Sequence, residues 1–221
     1  MNITIVTPPP FEPVTLGEVY AHLRLSPDHE GSPGEETHPD DAMLARHITT
    51  ARQEVEQMAR RSLVQQTLRL SMAGFPSTVR GSFPPARTQV PEVIRLYRPP
   101  VLRVESVSYY DADNALQVVD AASYYVTDER VPELRFTISF AAPTVYSRPD
   151  AVRVLYVAGY TPLGSPPTTQ DDFVANVPST LRDAILIGVQ LLYDNMLPAD
   201  ATAASNMQMM MVQPLKVQLS I

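Results

Sequence analysis

The sequence predicts an α+β fold: a helical core built from both chain ends with about three main helices, an inserted antiparallel β domain and an extended carboxyl-terminal arm. Three observations predict it. Apolar spacing is helical in the first sixty residues, changes to a period of two from Val64, and becomes helical again after Pro178. The strand patterns follow one another with no helical pattern between them, which favours antiparallel pairing. The helix after Pro178 is apolar almost all round and must be covered on several sides, so the two chain ends are expected to form one body. The boundaries that follow are 1–63 and 173–197 for the helical core, 64–172 for the β domain and 198–221 for the arm.

Each element has its own signal. Thr15 and Glu18 make a capping box, Val14 and Val19 a hydrophobic staple, and Leu16, Val19, Tyr20 and Leu23 one apolar face of a short first helix. Asp40 or Asp41 can cap a second helix, whose Leu44, Ile48, Ala51, Val55 and Met58 share one stripe. Its other face carries Arg52/Glu56 and Glu56/Arg60 as i,i+4 pairs. Between these helices, Ser26 to Pro39 is rich in Gly, Pro and acid and reads as an exposed loop. Leu68, Leu70 and Met72 open the β pattern, and further strands are expected near 92–97, 102–110, 115–119, 124–127, 134–140 and 151–157. Leu181, Ala184, Ile185, Gly188, Val189 and Leu192 belong to the third helix.

Composition narrows the function. Of 221 residues 44% are hydrophobic and 19% charged, enough for a packed core and too apolar for wholesale disorder. A formal charge of -7 and no basic run argue against gripping nucleic acid through its phosphates. The absence of cysteine removes disulfides, thiolate metal sites and cysteine nucleophiles together. No secretory signal is expected from MNITIVTPPPFEPVT, and the apolar stretch Ala184 to Tyr193 is far below the roughly 20 residues that span a bilayer. A soluble, non-exported chain is expected.

Motifs for catalysis are missing. There is no G-x-S-x-G elbow and no glycine spacing that cradles phosphate, so no cofactor is expected. His29 and His38 share the acidic loop, but ligands on a Gly/Pro loop are not held in coordination geometry, and no metal site is expected. Asp111/Asp113 and Asp171/Asp172 read as turn and helix-entry chemistry rather than an acid-base pair, and no catalytic residue is assigned. Tyr109, Tyr110, Tyr124, Tyr125, Tyr156 and Tyr160 read as sheet packing, the alternative being a glycan-binding β module.

The last eighteen residues, ASNMQMMMVQPLKVQLSI, hold a single charge, Lys216. Leu215, Val217, Leu219 and Ile221 alternate with polar residues as a strand with one face to bury. Met207, Met209, Met210 and Met211, followed by Val212, suit irregular apolar grooves. The segment either folds back on its own chain or reaches a partner.

The ordered series PVTLGEVYAHLRL, ARQEVEQMARRSLVQQTLRL, IRLYRPPVLRVESVSYYDADN, YYVTDER, AVRVLYVAGYTP and VPSTLRDAILIGVQLLYDN resembles the head-tail connector (adaptor) family of tailed bacteriophages, prophages and gene transfer agents over most of residues 14–196. The resemblance implies a virion neck protein without catalysis, assembled in the host cytoplasm. It implies a homo-oligomeric ring of roughly twelve copies docked under the portal protein, extending the DNA channel and receiving a stopper or other neck or tail protein. DNA is then only cargo, and no membrane is involved. It also implies that Met207, Met209, Met210, Met211, Val212, Leu215, Val217, Leu219 and Ile221 form the portal-binding arm. The alternative within the same setting is another neck protein of the stopper or tail-completion type.

Overall fold

In the computed structural model, which describes residues 1–26, 37–76, 93–160, 174, 176–194 and 196–218, helices and antiparallel strands sort into two units. One comprises residues 10–64 and 160–220, the other residues 1–9 and 65–159. The α+β class read from the periodicity is therefore the observed one.

The first unit holds helices α1 (Leu16–Leu23), α2 (Asp41–Ala59), α3 (Ser179–Tyr193) and α4 (Pro198–Val212). α1 starts at the expected capping box: the Thr15 hydroxyl accepts from the Glu18 amide at 3.2 Å, and the Glu18 carboxylate accepts from the Thr15 amide at 2.8 Å. Val14 and Val19 are both buried, as a staple requires. α2 buries Leu44, Ile48, Ala51 and Val55 against Leu181, Ala184, Ile185 and Val189 of α3 in one core.

Three helical details depart from the sequence reading. Asp40 stands at the N-cap of α2 but makes no capping bond; its carboxylate accepts from the Tyr193 hydroxyl at 2.8 Å, which also raises the pKa of that phenol. Asp41 accepts instead from the Tyr20 hydroxyl and from the His38 amide. Arg52 and Glu56 do pair, at 3.1 Å, but inside the unit rather than on a solvated face. Most consequentially, residues 198–212, expected within an extended arm, form α4. Pro198 is preorganised for the first turn, and the Ala, Met and Gln that follow are good helix formers.

The second unit holds a five-stranded sheet of order β1-β2-β8-β4-β5 and a three-stranded sheet of order β3-β7-β6. Their members are β1 (Asn2–Thr7), β2 (Gln66–Met72), β3 (Val93–Arg95), β4 (Val101–Tyr110), β5 (Leu116–Val118), β6 (Tyr124–Val126), β7 (Glu133–Phe136) and β8 (Val152–Ala158). Every pairing is antiparallel. The core gathers Leu68, Leu70, Val107, Val154 and Tyr156 with Ile94, Leu134 and Phe136. β1 corrects the expectation that residues 1–63 go wholly with the helices. Its β-branched residues Ile3, Thr4 and Ile5 pair with β2, the register shifts at Val6, and Pro8 to Pro10 end the strand.

The entry to β8 is fixed electrostatically. Asp150 accepts from Arg148 at 2.6 Å and from Arg153 at 2.5 Å, and both guanidinium groups lie over the Tyr110 ring, 3.9 and 4.8 Å from its centroid. Those bonds, the Arg148 one first, hold the Asp150 carboxyl far below the usual carboxylate range. A depressed folded-state pKa contributes stability above the unfolded value of about 4 and loses it as pH falls through the folded value. Side-chain NMR titration should therefore find Asp150 still ionised at pH 3, where unpaired carboxylates have taken up their protons. An ordinary midpoint near pH 4 would show that the arginines do not hold it.

Candidate interaction surface

The carboxyl-terminal segment is positioned by an unusually close helix crossing. Gly188 of α3 lets α2 and α4 approach: a Cβ there would stand 2.9 Å from the Ala51 Cβ and 2.7 Å from the Gln208 side-chain nitrogen. Gln208 is buried and donates that nitrogen to the Ala184 carbonyl at 3.0 Å. Val212, one turn on, completes the core.

Beyond α4 the chain turns through a 3-10 segment, Gln213–Leu215, and docks on the end of α2. The Val217 amide donates to the Ala59 carbonyl at 3.0 Å, meeting one of the acceptors a helix end leaves open. The Arg61 guanidinium donates to the Leu215 carbonyl at 2.6 Å, and Val217 itself is only 1% exposed. The alternating pattern from Leu215 is thus no strand as far as it is described; Leu219 and Ile221 lie outside the described residues. Val217→Asn places an unpaired amide in that pocket and should free the segment, so that trypsin cuts after Lys216 much faster than in the native chain. Mass spectrometry of a timed digest checks this; unchanged cleavage would mean that Val217 does not anchor the segment.

The predicted site residues therefore divide. Val212 and Val217 face the chain's own core, and Met211 and Leu215 pack partly against it. Met207, Met209 and Met210 are 52%, 47% and 75% exposed. At 100° per residue, Gln208 and Val212 mark the inner side of α4 and Met210 lies opposite, with Met207 and Met209 on its flanks. Asp200 is the one charged residue of this 15-residue helix, and exposed Leu197 and Leu192 stand on either side of the α3–α4 junction. After Asp200 in its first turn, the outer side of α4 is exposed and carries no charge. The sequence singled out the methionines, three of which are exposed, but not the glycine crossing that sets their facing, whose signal was the small pair Ala184 and Gly188 amid large apolar neighbours.

The other candidates resolve into structure. Asp111 accepts from the amides of Asp113 and Ala115 and from Gln117, which lowers its pKa and closes the β4–β5 turn. Asp171, Asp172 and His29 lie outside the described residues. Tyr156 is buried and donates to the Tyr97 carbonyl at 2.8 Å, Tyr110 lies beneath the two arginines, and of the six tyrosines considered only Tyr125 is exposed. Among the described residues no group of three or more His, Cys, Asp or Glu could hold a metal ion, and no helix is long and apolar enough to cross a membrane.

No family model matches the chain, and no curated protein does. Solved structures do match, along its whole length. The fold is that of chains in gene transfer agent particles. A chain in the virion of the native particle superimposes with a TM-score of 0.67 at 16% identity, covering 100% of this chain and 98% of its own. A chain in the neck of the empty particle, computed with C6 symmetry, gives 0.66 at 16% identity, and one in the neck of the native particle, computed with C12 symmetry, gives 0.64 at 15%, with the same coverage. At such identities the likeness is one of fold.

Proposed function

We propose that this chain is a structural head-tail adaptor of a phage-like particle: a ring of roughly twelve copies under the portal protein that extends the DNA channel and receives a stopper or other neck protein. The observation that carries this reading is end-to-end coverage by chains from particle-neck structures computed with sixfold and twelvefold symmetry. It works without catalysis, with DNA only as cargo, in the virion neck after assembly in the host cytoplasm.

In this reading Met207, Met209 and Met210 make the contact with the portal, supported by the absence of charge from α4 after Asp200 in its first turn. Met211, Val212, Leu215 and Val217 hold that surface in place from within, and Leu219 and Ile221 continue the same segment. Thioether side chains adapt to an irregular apolar groove, and each fully buried one contributes about 1.5–3 kcal/mol. A few such contacts per copy bind weakly, whereas a ring of them binds a symmetric partner with greatly raised effective concentration.

The test is co-sedimentation of the purified chain with portal rings. The native chain should pellet with the portal, and Met207→Asp/Met210→Asp should lose binding at least a hundredfold with an unchanged melting temperature, because both side chains already face solvent. Retained binding by that variant would remove α4 from the contact. Absence of binding by the native chain would remove the adaptor reading.

A further inference from the structure

The five-stranded sheet has two unlike faces. Leu68, Leu70 and Val154 turn into the core of their unit, so by strand alternation Arg69, Ser71 and Arg153 belong to the opposite face, together with Thr4, which is paired with Arg69 across β1 and β2. On this face Thr4 Oγ1, Arg69 Nε and Arg153 Nε are shielded from solvent without a hydrogen-bond partner. A shielded guanidinium N–H with no acceptor is costly, and the cost falls when an anion arrives. Arg153 has Asp150, which it shares with Arg148, but Arg69 has no carboxylate partner among the described residues.

Charge is divided unevenly between the units. Residues 1–9 and 65–159 contain ten arginines against nine carboxylates, a net +1. Residues 10–64 and 160–220 contain seven basic residues against fifteen carboxylates, a net -8, and the two values make up the -7 of the chain. Exposed Glu54, Asp183 and Asp200 sit on the helices of the acidic unit, and exposed Asp194 caps the end of α3.

We propose that the Arg69/Arg153 face of one copy docks on the acidic helical unit of a second copy. The contact joins two different surfaces of the same chain, and repetition of such a heterologous contact closes a ring when the rotation allows. It rests on the adaptor reading for the closure, while the pairing itself follows from the charge division and from an Arg69 Nε without a partner among the described residues. The net charge of -7 repels duplex DNA over the whole surface, whereas a second copy, repelled overall in the same way, offers the local carboxylates that an arginine face can pair with.

The chain has one lysine, Lys216, so a new amine is easy to follow. Arg69→Lys keeps the charge and allows zero-length carbodiimide coupling to any carboxylate in ion-pair contact. Coupling an equal mixture of ¹⁴N and ¹⁵N chains at low salt should give mixed-isotope cross-links between the peptide containing position 69 and acidic peptides of residues 10–64 or 160–200. Arg69→Glu, with native circular dichroism and melting, should self-associate about tenfold more weakly in sedimentation, an effect that high salt erases. Should Arg69→Glu fail to fold, the cross-link from the conservative variant decides. Cross-links confined to one isotope, undiminished association of Arg69→Glu, or duplex DNA binding that depends on Arg69 without self-association would each overturn the proposal. A ring on the portal without this cross-link removes the contact and leaves the adaptor reading; the cross-link without a ring does the opposite.

Discussion

Glu56→Ala should destabilise the helical unit by about 3–5 kcal/mol, the range for removing one partner of a buried ion pair. Glu56 is 1% exposed and serves two groups at once. One carboxylate oxygen accepts from Arg52 at 3.1 Å, and the other accepts from the Leu63 amide at 2.9 Å where the chain leaves α2. Arg52 continues the network to Glu12 at 2.6 Å, and Glu12 accepts from the Thr49 hydroxyl at 2.9 Å. Truncation leaves a buried guanidinium with one carboxylate in place of two and a buried amide without its acceptor. Glu56→Gln keeps an acceptor for Leu63 and removes only the charge, so it should cost clearly less. Urea unfolding followed at helical wavelengths checks both variants; equal losses for Ala and Gln would show that the charge, not the amide bond, carries the effect.

Gly188→Val should be nearly as damaging, at about 2–4 kcal/mol, combining overpacking with loss of one buried hydrogen bond. Gln208 can swing aside, giving up its bond to Ala184, but the Ala51 Cβ at 2.9 Å belongs to α2 and moves only with the helix. The crossing of α2, α3 and α4 must then widen, and α4 loses its seat. Gly17→Ala is the control. Its added carbon would meet nothing nearer than the Thr15 hydroxyl at 3.9 Å, so helix propensity should make it neutral or stabilising by up to about 1 kcal/mol. Thermal melts of the pair separate steric conflict from backbone entropy; a Gly188→Val melt equal to the native one would mean that the helices do not cross as closely as described.

Local signals carried much of this architecture. The Thr15–Glu18 box, the apolar stripe of α2 and the alternation from Gln66 to Met72 depend on neighbours in sequence, and each was legible there. β1 was not, because six residues ahead of a proline run acquire meaning only from β2, more than sixty positions away. The burial of Arg52 and Glu56 was hidden for the same reason: an i,i+4 pair looks alike on a solvated face and in a core, and Glu12 and Leu63 decide between them. At the carboxyl terminus the methionines read as part of an extended arm where the chain is in fact helical, and alternation from Leu215 suggested a strand. The Val217 amide instead bonds to the end of α2, a tertiary choice that periodicity over seven residues does not register.

Electron cryo-microscopy of the purified chain mixed with portal rings tests the central claim most directly. The adaptor account predicts a closed ring beneath the portal, with Met207, Met209 and Met210 buried against portal residues and Val217 still docked on its own α2. A chain that stays monomeric beside bare portals, or a ring that meets the portal with α4 turned to solvent, would contradict it.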